Sequence, residues 1–426
     1  MTENVRRLVL DDMAAPDALG RLDGKVVFVP GGAPGDVVLV ELIQSKKDYD
    51  HGRIVELLEP GPERVEPLCP HYDECGGCSW QHLDYEAQLR YKTRQLADGA
   101  RKVAGLELEP PVIETHETFG YRDRARLQTA WRRERCRLGY YARGSRHLVE
   151  FESCPLLADV LNEALASLRG VLDGLLGKAE AWHQLEAAEL ESADKGWALT
   201  LRFARSRPPR LPWEEIAVAL PGLVSLRATG RREDYLVAGA ERFATAKVGL
   251  VKSAGTFGQP VDAGARWLRE RLVGAQRKVD ARLVWDLYCG YGLLGSVLLD
   301  GLDALFAVEA HPDAAEDAAV NLAAVPDVLI ATGRVEDALT QVPADVARPG
   351  LVILDPPRSG LSKGLLEALL EFEPPALFFA ACNPPRFWRD ARFLLDAGYR
   401  LDELTAFDMA PQTQHLELAA LWRREE

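Results

Sequence analysis

Over the first sixty residues, short runs rich in apolar and β-branched residues alternate with polar turns, at 7–10, 25–29, 36–42 and 53–58. Strands this short and closely spaced predict a small β-barrel, with the Pro-Gly-rich stretch 30–35 as its strongest turn. Pro60-Gly61-Pro62 then reads as a linker. Beyond it the pattern is mixed: 155–192 reads as mainly helical, 197–203 alternates like a strand, and Pro208, Pro209 and Pro212 break the chain. From about 251 the order becomes strand, glycine turn, helix, strand. Apolar runs at 283–285, 304–308, 351–354 and 376–380 predict buried strands, and 313–324 and 364–371 predict helices between them. That alternation predicts a mostly parallel sheet covered by helices. The chain therefore divides into a barrel over 1–60, a mixed α+β central domain over 61–250, and an α/β Rossmann-like domain over 251–426.

A chain of 426 residues with 47% hydrophobic content can build two or three cores, which excludes disorder. No apolar run reaches the length that spans a bilayer, and the first residues are not followed by the apolar segment of a signal peptide. The expected compartment is the cytoplasm, where seven cysteines point to metal ligation, catalysis and burial in place of disulfides. The formal charge of -14 excludes a uniformly basic nucleic-acid binder. A local patch is still visible between 121 and 147: nine arginines, among them Arg124, Arg126, Arg132, Arg133, Arg135 and Arg137, interleave with Trp131, Tyr140 and Tyr141. Such a run suits phosphate pairing and base stacking, or else a strand pair whose arginines offset neighbouring acids.

Three features carry candidate chemistry. Gly290-Tyr291-Gly292-Leu293-Leu294-Gly295 follows a strand and is expected to open a helix, so backbone can approach a ligand closely. Glu309, 19 residues after Gly290, ends the next strand, where a carboxylate can accept from ribose hydroxyls. Cys382, after the apolar run 376–381, puts a thiol at a strand end, and Glu417 puts a carboxylate beside an apolar strand near the C-terminus. Cys69, Cys75 and Cys78 cluster with Cys-x5-Cys-x2-Cys spacing, and Cys154 is a plausible fourth ligand. Four thiolates suit tetrahedral zinc or an iron-sulfur cluster, and His71 and His82 are spare zinc candidates.

The runs 286–292, Asp355-Pro356-Pro357-Arg358, Cys382-Asn383-Pro384 and 408–417 resemble, in order and spacing, those of the RNA uracil-5-methyltransferase family, which uses S-adenosylmethionine. Leu293, Val261 and Arg386 depart from the family's usual residues. The resemblance implies Cys382 as the nucleophile that adds to uracil C6 and Glu417 as the base that removes the C5 proton. It places Gln259, Tyr288, Glu309 and Asp355, with Gly290 and Gly292 of the turn, around the S-adenosylmethionine pocket. His415 is expected to position Glu417 or a phosphate. Residues 1–60 resemble a TRAM domain, an OB-like RNA-binding barrel. A 4Fe-4S cluster is favoured over zinc at the four cysteines. The implied partner is RNA with an extruded uracil, 23S ribosomal RNA before transfer RNA, acted on by a monomer. A nicotinamide-dependent iron-sulfur oxidoreductase would leave Cys382 and Glu417 idle, and a noncatalytic RNA-binding protein would lack turnover.

Overall fold

In the first segment every strand hides one side: Leu8, Leu10, Val27, Val29, Val38 and Val40 point into a common core, which curls the sheet until its ends meet. The strands are β1 (Val5–Ala14), β2 (Asp17–Leu22), β3 (Lys25–Val29), β4 (Val37–Ser45) and β5 (Tyr49–Glu59). They close in the order β1-β2-β3-β5-β4. The computed structural model describes residues 5–132, 135–174, 183–246, 248–343, 346 and 348–425. The expected linker is stitched to the barrel. Asp36, fully buried, accepts from Gly61 N at 2.8 Å and Ala33 N at 2.7 Å and pairs with Arg64 at 2.6 Å.

The chain next forms α1 (Tyr85–Gly99) and the two-residue strand β6 (Ile113–Glu114). Both attach to the C-terminal sheet: β6 pairs in parallel with its edge strand, Phe407 opposite Glu114, and Lys92 of α1 reaches Asp408.

A seven-stranded sheet follows, built from β7 (Arg124–Arg132), β8 (Arg135–Tyr141), β9 (Leu148–Glu150), β10 (Leu185–Ala193), β11 (Gly196–Phe203), β12 (Leu223–Thr229) and β13 (Asp234–Gly239). Its order is β13-β12-β11-β10-β7-β8-β9. The helices α2 (Asp159–Gly174) and α3 (Trp213–Val218) accompany it. The helical expectation for 155–192 holds only for α2; 175–182 lie outside the described residues, and 185–193 is a central strand. Leu, Glu and Ala favour helix, but β10 is paired on both sides, with β7 and β11, and burial overrides that weak preference.

The register also resolves the arginine run. Arg124, Arg126 and Arg202 converge on the buried Glu189 at 3.0, 3.6 and 2.5 Å, and Arg135 and Arg137 pair with Glu150 at 3.5 and 2.8 Å. Tyr140 is buried against Phe151, with ring centroids 5.1 Å apart. These side chains brace the sheet and do not form an open stacking surface. Arg133, and the side chain of Arg132, lie outside the described residues.

After the short strands β14 (Arg242–Ala244) and β15 (Val251–Ser253), the chain enters its largest sheet. In order come α4 (Asp262–Val279), β16 (Leu283–Leu287), β17 (Ala304–Glu309), α5 (Pro312–Asn321), β18 (Asp327–Thr332), α6 (Val335–Leu339), β19 (Leu351–Leu354), α7 (Lys363–Leu370), β20 (Ala376–Ala381), α8 (Pro384–Asp396), β21 (Tyr399–Phe407) and β22 (Glu417–Arg424). The sheet order is β18-β17-β16-β19-β20-β22-β21-β6. The first five run parallel; β17, β16, β19 and β20 are buried on both faces, by core groups that include Leu287 and Leu354 on one side and Val284 and Ile353 on the other, while β18 at the edge is half-exposed. The glycine turn opens a helix as expected, in 3-10 form over Gly295–Gly301. Among the described residues no helix is long and apolar enough to cross a membrane.

Candidate active site

Parallel strands deliver their carboxyl ends to one rim of a sheet, and the loops that follow them enclose a cavity of about 750 Å³. Tyr288 and Gly290 follow β16, Glu309 ends β17, Asp355 to Arg358 follow β19, and Cys382 follows β20; all line this cavity. Glu417 arrives from the other direction, at the start of the antiparallel β22. The register pairs Ala381 with Leu418, so Cys382 and Glu417 emerge side by side from adjacent strand ends. The loop from β15 to α4 adds Phe257, Gln259 and the apolar Val261, and the glycine turn adds the apolar Leu293.

Tyr288 adopts φ 68°, a conformation costly for a side chain with a Cβ, where the chain turns sharply off β16. The carboxylate of Glu309 accepts from Gly290 N at 3.0 Å and His311 N at 2.7 Å, which fixes it beside the glycine turn. Gln259 donates to Asp355 at 3.2 Å. Gly292 does not line the cavity. Its φ of +83° and the 3.1 Å that separates an added Cβ from Leu322 show a glycine kept for packing on α5, not for ligand approach.

Electrostatics set this site apart. Burial pushes the Cys382 thiol up to about 11, and the negative charges of Glu417 and Asp355 push the same way against Arg358. Burial, then Asp355, holds Glu417 well above the usual carboxylate range, again opposed by Arg358. Asp355 is raised to about 7 by burial, against the hydrogen bond from Gln259. Thiol, two carboxyls and one guanidinium therefore share a single charge environment, as acid-base and nucleophilic chemistry needs. Glu417 Oε1, almost fully buried, has no hydrogen-bond partner among the described residues. His415 also lines the cavity, but burial and the charges of Arg358, Lys92 and Arg122 lower its pKa to about 4.

Two groups escaped the sequence reading. Phe257 stands at the cavity wall with its ring 65% exposed, and Arg124 lies over it at 5.8 Å. An aromatic residue near Gly255 and Gly258, two positions before Gln259, was the available signal. Asp286 is fully buried, accepts from Gly295 N at 3.0 Å through Oδ2, and leaves Oδ1 unpartnered. Burial, with Asp355 and Glu309 adding to it, raises its pKa to about 7. An acid held neutral in the fold but ionised in the unfolded chain loses stability as pH rises from about 4 to 7, and the loss persists above that. Asp286→Asn removes this loss. The ligand-free variant is expected to melt a few degrees above wild type at pH 8 and close to it at pH 5, by calorimetry.

The loop 408–416 is held from below. Lys92 and Asp408, both fully buried, pair at 2.6 Å; Tyr85 donates to Asp408 at 3.0 Å; Gln88 and Gln412 exchange hydrogen bonds at 2.9 and 3.0 Å. Ser79 and Trp80 donate backbone N–H groups to Gln412 O at 3.2 and 2.9 Å, which ties the cysteine loop to the segment that ends in Glu417.

Cys69, Cys75, Cys78 and Cys154 line one smaller cavity with Tyr140, Phe151 and Leu156, and all four are free thiols. Burial raises the pKa of Cys75, Cys78 and Cys154, and neighbouring thiols add to each shift. His71 is in the same wall, whereas His82 bonds to Tyr72 and to Gly32 O at 2.8 Å and is no spare ligand. Among the described residues, no group of three or more His, Cys, Asp or Glu side chains is arranged to hold one metal ion. Gly77 and Arg122 belong to the walls of both cavities.

Comparison with known proteins matches this architecture. Residues 8–55 match the TRAM domain. The chain is 30% identical to the 23S rRNA (uracil(1939)-C(5))-methyltransferase RlmD of Shewanella sediminis, over 97% of this chain and 94% of that protein. It is also 30% identical to an uncharacterized RNA methyltransferase of Nostoc sp., over 95% of this chain and 93% of the relative. Among solved structures, the tRNA (uracil-54, C5)-methyltransferase of Pyrococcus abyssi, in complex with S-adenosyl-L-homocysteine, shares the fold with a TM-score of 0.72 at 23% identity. That alignment covers 98% of this chain and 100% of the other. Thiol and carboxyl on neighbouring strand ends, a glycine turn beside Glu309, and full-length similarity at this level place the chain in the RNA (uracil-5-)-methyltransferase family.

Proposed function

We propose that the chain methylates C5 of a uracil in RNA, with S-adenosylmethionine as methyl donor and 23S ribosomal RNA as substrate. The observation that carries this reading is the pairing of Cys382 with Glu417 across β20 and β22, inside the cavity that also holds Glu309 and Asp355. When bound, S-adenosylmethionine supplies an electrophilic methyl group on a sulfonium. Glu309 is placed to accept from ribose hydroxyls, and Gly290 leaves its backbone open to the ligand. The carboxyls of Asp355, Asp286 and Glu417, all raised by burial, would ionise more readily beside a cationic ligand.

Uracil C5 is too weak a nucleophile to take a methyl group unaided. Cys382 gives up its proton to solvent, with Arg358 as the cation near the resulting thiolate, and adds through sulfur to C6, which makes C5 enolate-like. C5 then takes the methyl while the donor's carbon-sulfur bond breaks. Glu417 removes the C5 proton, the Cys382–C6 bond breaks, and Glu417 passes the proton to solvent, one per methyl transferred. A stacked uracil cannot expose C6 and C5 to these groups, so the base must leave its stack. Phe257 supplies an exposed ring on which it can rest. In this reading 1–60 grips RNA, 61–250 frames the cavity and 251–426 performs the chemistry. Tritium release from RNA labelled at uracil C5, dependent on added S-adenosylmethionine, tests it; no release overturns it.

We further propose a 4Fe-4S cluster at Cys69, Cys75, Cys78 and Cys154. The donor set fits, being four thiols in one largely apolar wall. Four thiolates suit zinc or a cluster, and the family likeness favours the cluster. Methyl transfer needs no electron, so the role is structural: fixing the cysteine loop fixes the segment bonded to Ser79 and Trp80. Anaerobically purified protein is expected to contain iron and sulfide and absorb visible light, and Cys154→Ser to lose both. Stoichiometric zinc without iron would refute the assignment.

A further inference from the structure

A third recess, of about 210 Å³, lies where the barrel meets the cysteine loop. Gly76, Gly77, Thr413 and His415 belong to its wall and to that of the reaction cavity, so the two spaces abut. Asp17, at the start of β2, lines the recess with Arg143 and Gln414, and none of the three lines the reaction cavity.

The polar groups here are incompletely used. Among the described residues Asp17 makes no side-chain hydrogen bond, and burial raises its pKa against the charges of His51 and Arg143. The Gln414 side-chain oxygen accepts from Ser79 Oγ at 2.6 Å, and among the described residues its amide nitrogen makes no hydrogen bond. Arg143 is fixed in place, donating to Cys78 O at 3.1 Å and lying over the Tyr72 ring at 5.6 Å.

A partly desolvated carboxylate offers two adjacent acceptors and is best met by two adjacent N–H donors. Among the nucleobases only guanine presents that pair, N1–H and N2–H, and it does so when unpaired. The strand is continuous, so a uracil drawn into the reaction cavity brings its neighbours to this recess. We propose that the recess is a subsite for the unpaired nucleotide adjacent to the target uracil, and that Asp17 reads it as guanine. The proposal rests on the uracil-methylating reading above and adds sequence preference to it.

The test begins by mapping the uridine that the wild-type chain methylates in undermethylated large-subunit ribosomal RNA. Short RNAs spanning it are then made with each of the four bases immediately 5′ and 3′ of the target. Wild type is expected to favour guanine at one of these positions by about tenfold in kcat/KM, the scale of one bidentate contact. Asp17→Asn is expected to erase most of that preference while its affinity for S-adenosylhomocysteine stays unchanged. Wild-type turnover without a guanine preference, or a preference that Asp17→Asn retains, overturns the subsite alone. No methylation of any RNA by wild type overturns the functional reading and the subsite with it. If Asp17→Asn does not fold, the wild-type preference decides.

Discussion

Cys382→Ala is expected to lose methyl transfer by several orders of magnitude while binding S-adenosylhomocysteine as wild type does. Among the described residues, the other thiol lining the cavity is Cys289, buried in the glycine turn after β16, two strands from β20. Without sulfur at C6, nothing in the cavity can raise electron density at C5, and removal of a covalent nucleophile typically costs that much. The substitution deletes one half-buried atom at a strand end, so stability should change little. Single-turnover methylation and calorimetric titration separate the two effects; normal turnover by the variant would refute the covalent route. The same thiol fixes the sign of the pH dependence. With its pKa raised to about 11, the thiolate fraction climbs with pH through the neutral range, and the raised Glu417 shifts the profile the same way. Wild-type kcat/KM should therefore increase from pH 6 to pH 9.

Glu417→Gln should behave differently, and the difference is the stronger evidence. Glutamine keeps the shape but cannot take the C5 proton, so addition and methyl transfer proceed and elimination stalls. Turnover is expected to fall by about 10² to 10⁴, the usual worth of a positioned base. Protein and RNA should remain covalently joined, as a slow band on a denaturing gel that carries the donor's methyl label. The double variant with Cys382→Ala should show no such band. A stalled enzyme without adduct would remove Glu417 from the proton-transfer role.

The catalytic half was legible where its strands are buried on both faces, whereas the half-exposed β18 went unread. The apolar run 351–354 matches β19 residue for residue, and the run at 376–380 falls one residue short of the end of β20. Cys382 and Glu417 were each visible as strand-end groups. Their adjacency was not, because it depends on an antiparallel register that joins residues far apart in sequence. Strands without the expected composition escaped: Asp17–Leu22 has no β-branched residue, and Leu185–Ala193 reads as helix until its neighbours pair with it on both sides. The arginine run stayed open between two readings for a related reason. Its acidic partner Glu189 lies on another strand, so neutralisation appears only once β7, β10 and β11 are aligned. Spacing grouped Cys69, Cys75 and Cys78, but only packing brought their cavity against the reaction cavity through Gly77 and Arg122.

The route of the chain also limits how the enzyme could be dissected or reused. Residues 113–114 complete the margin of the catalytic sheet, and Lys92 neutralises a carboxylate sealed beneath the loop that ends in Glu417. A fragment cut at the apparent boundary near 251 would bare a strand edge and strand Asp408 without its counterion. Methylation by this scaffold is thus not a transplantable cassette: any fusion that hopes to redirect it must carry the amino-terminal residues along.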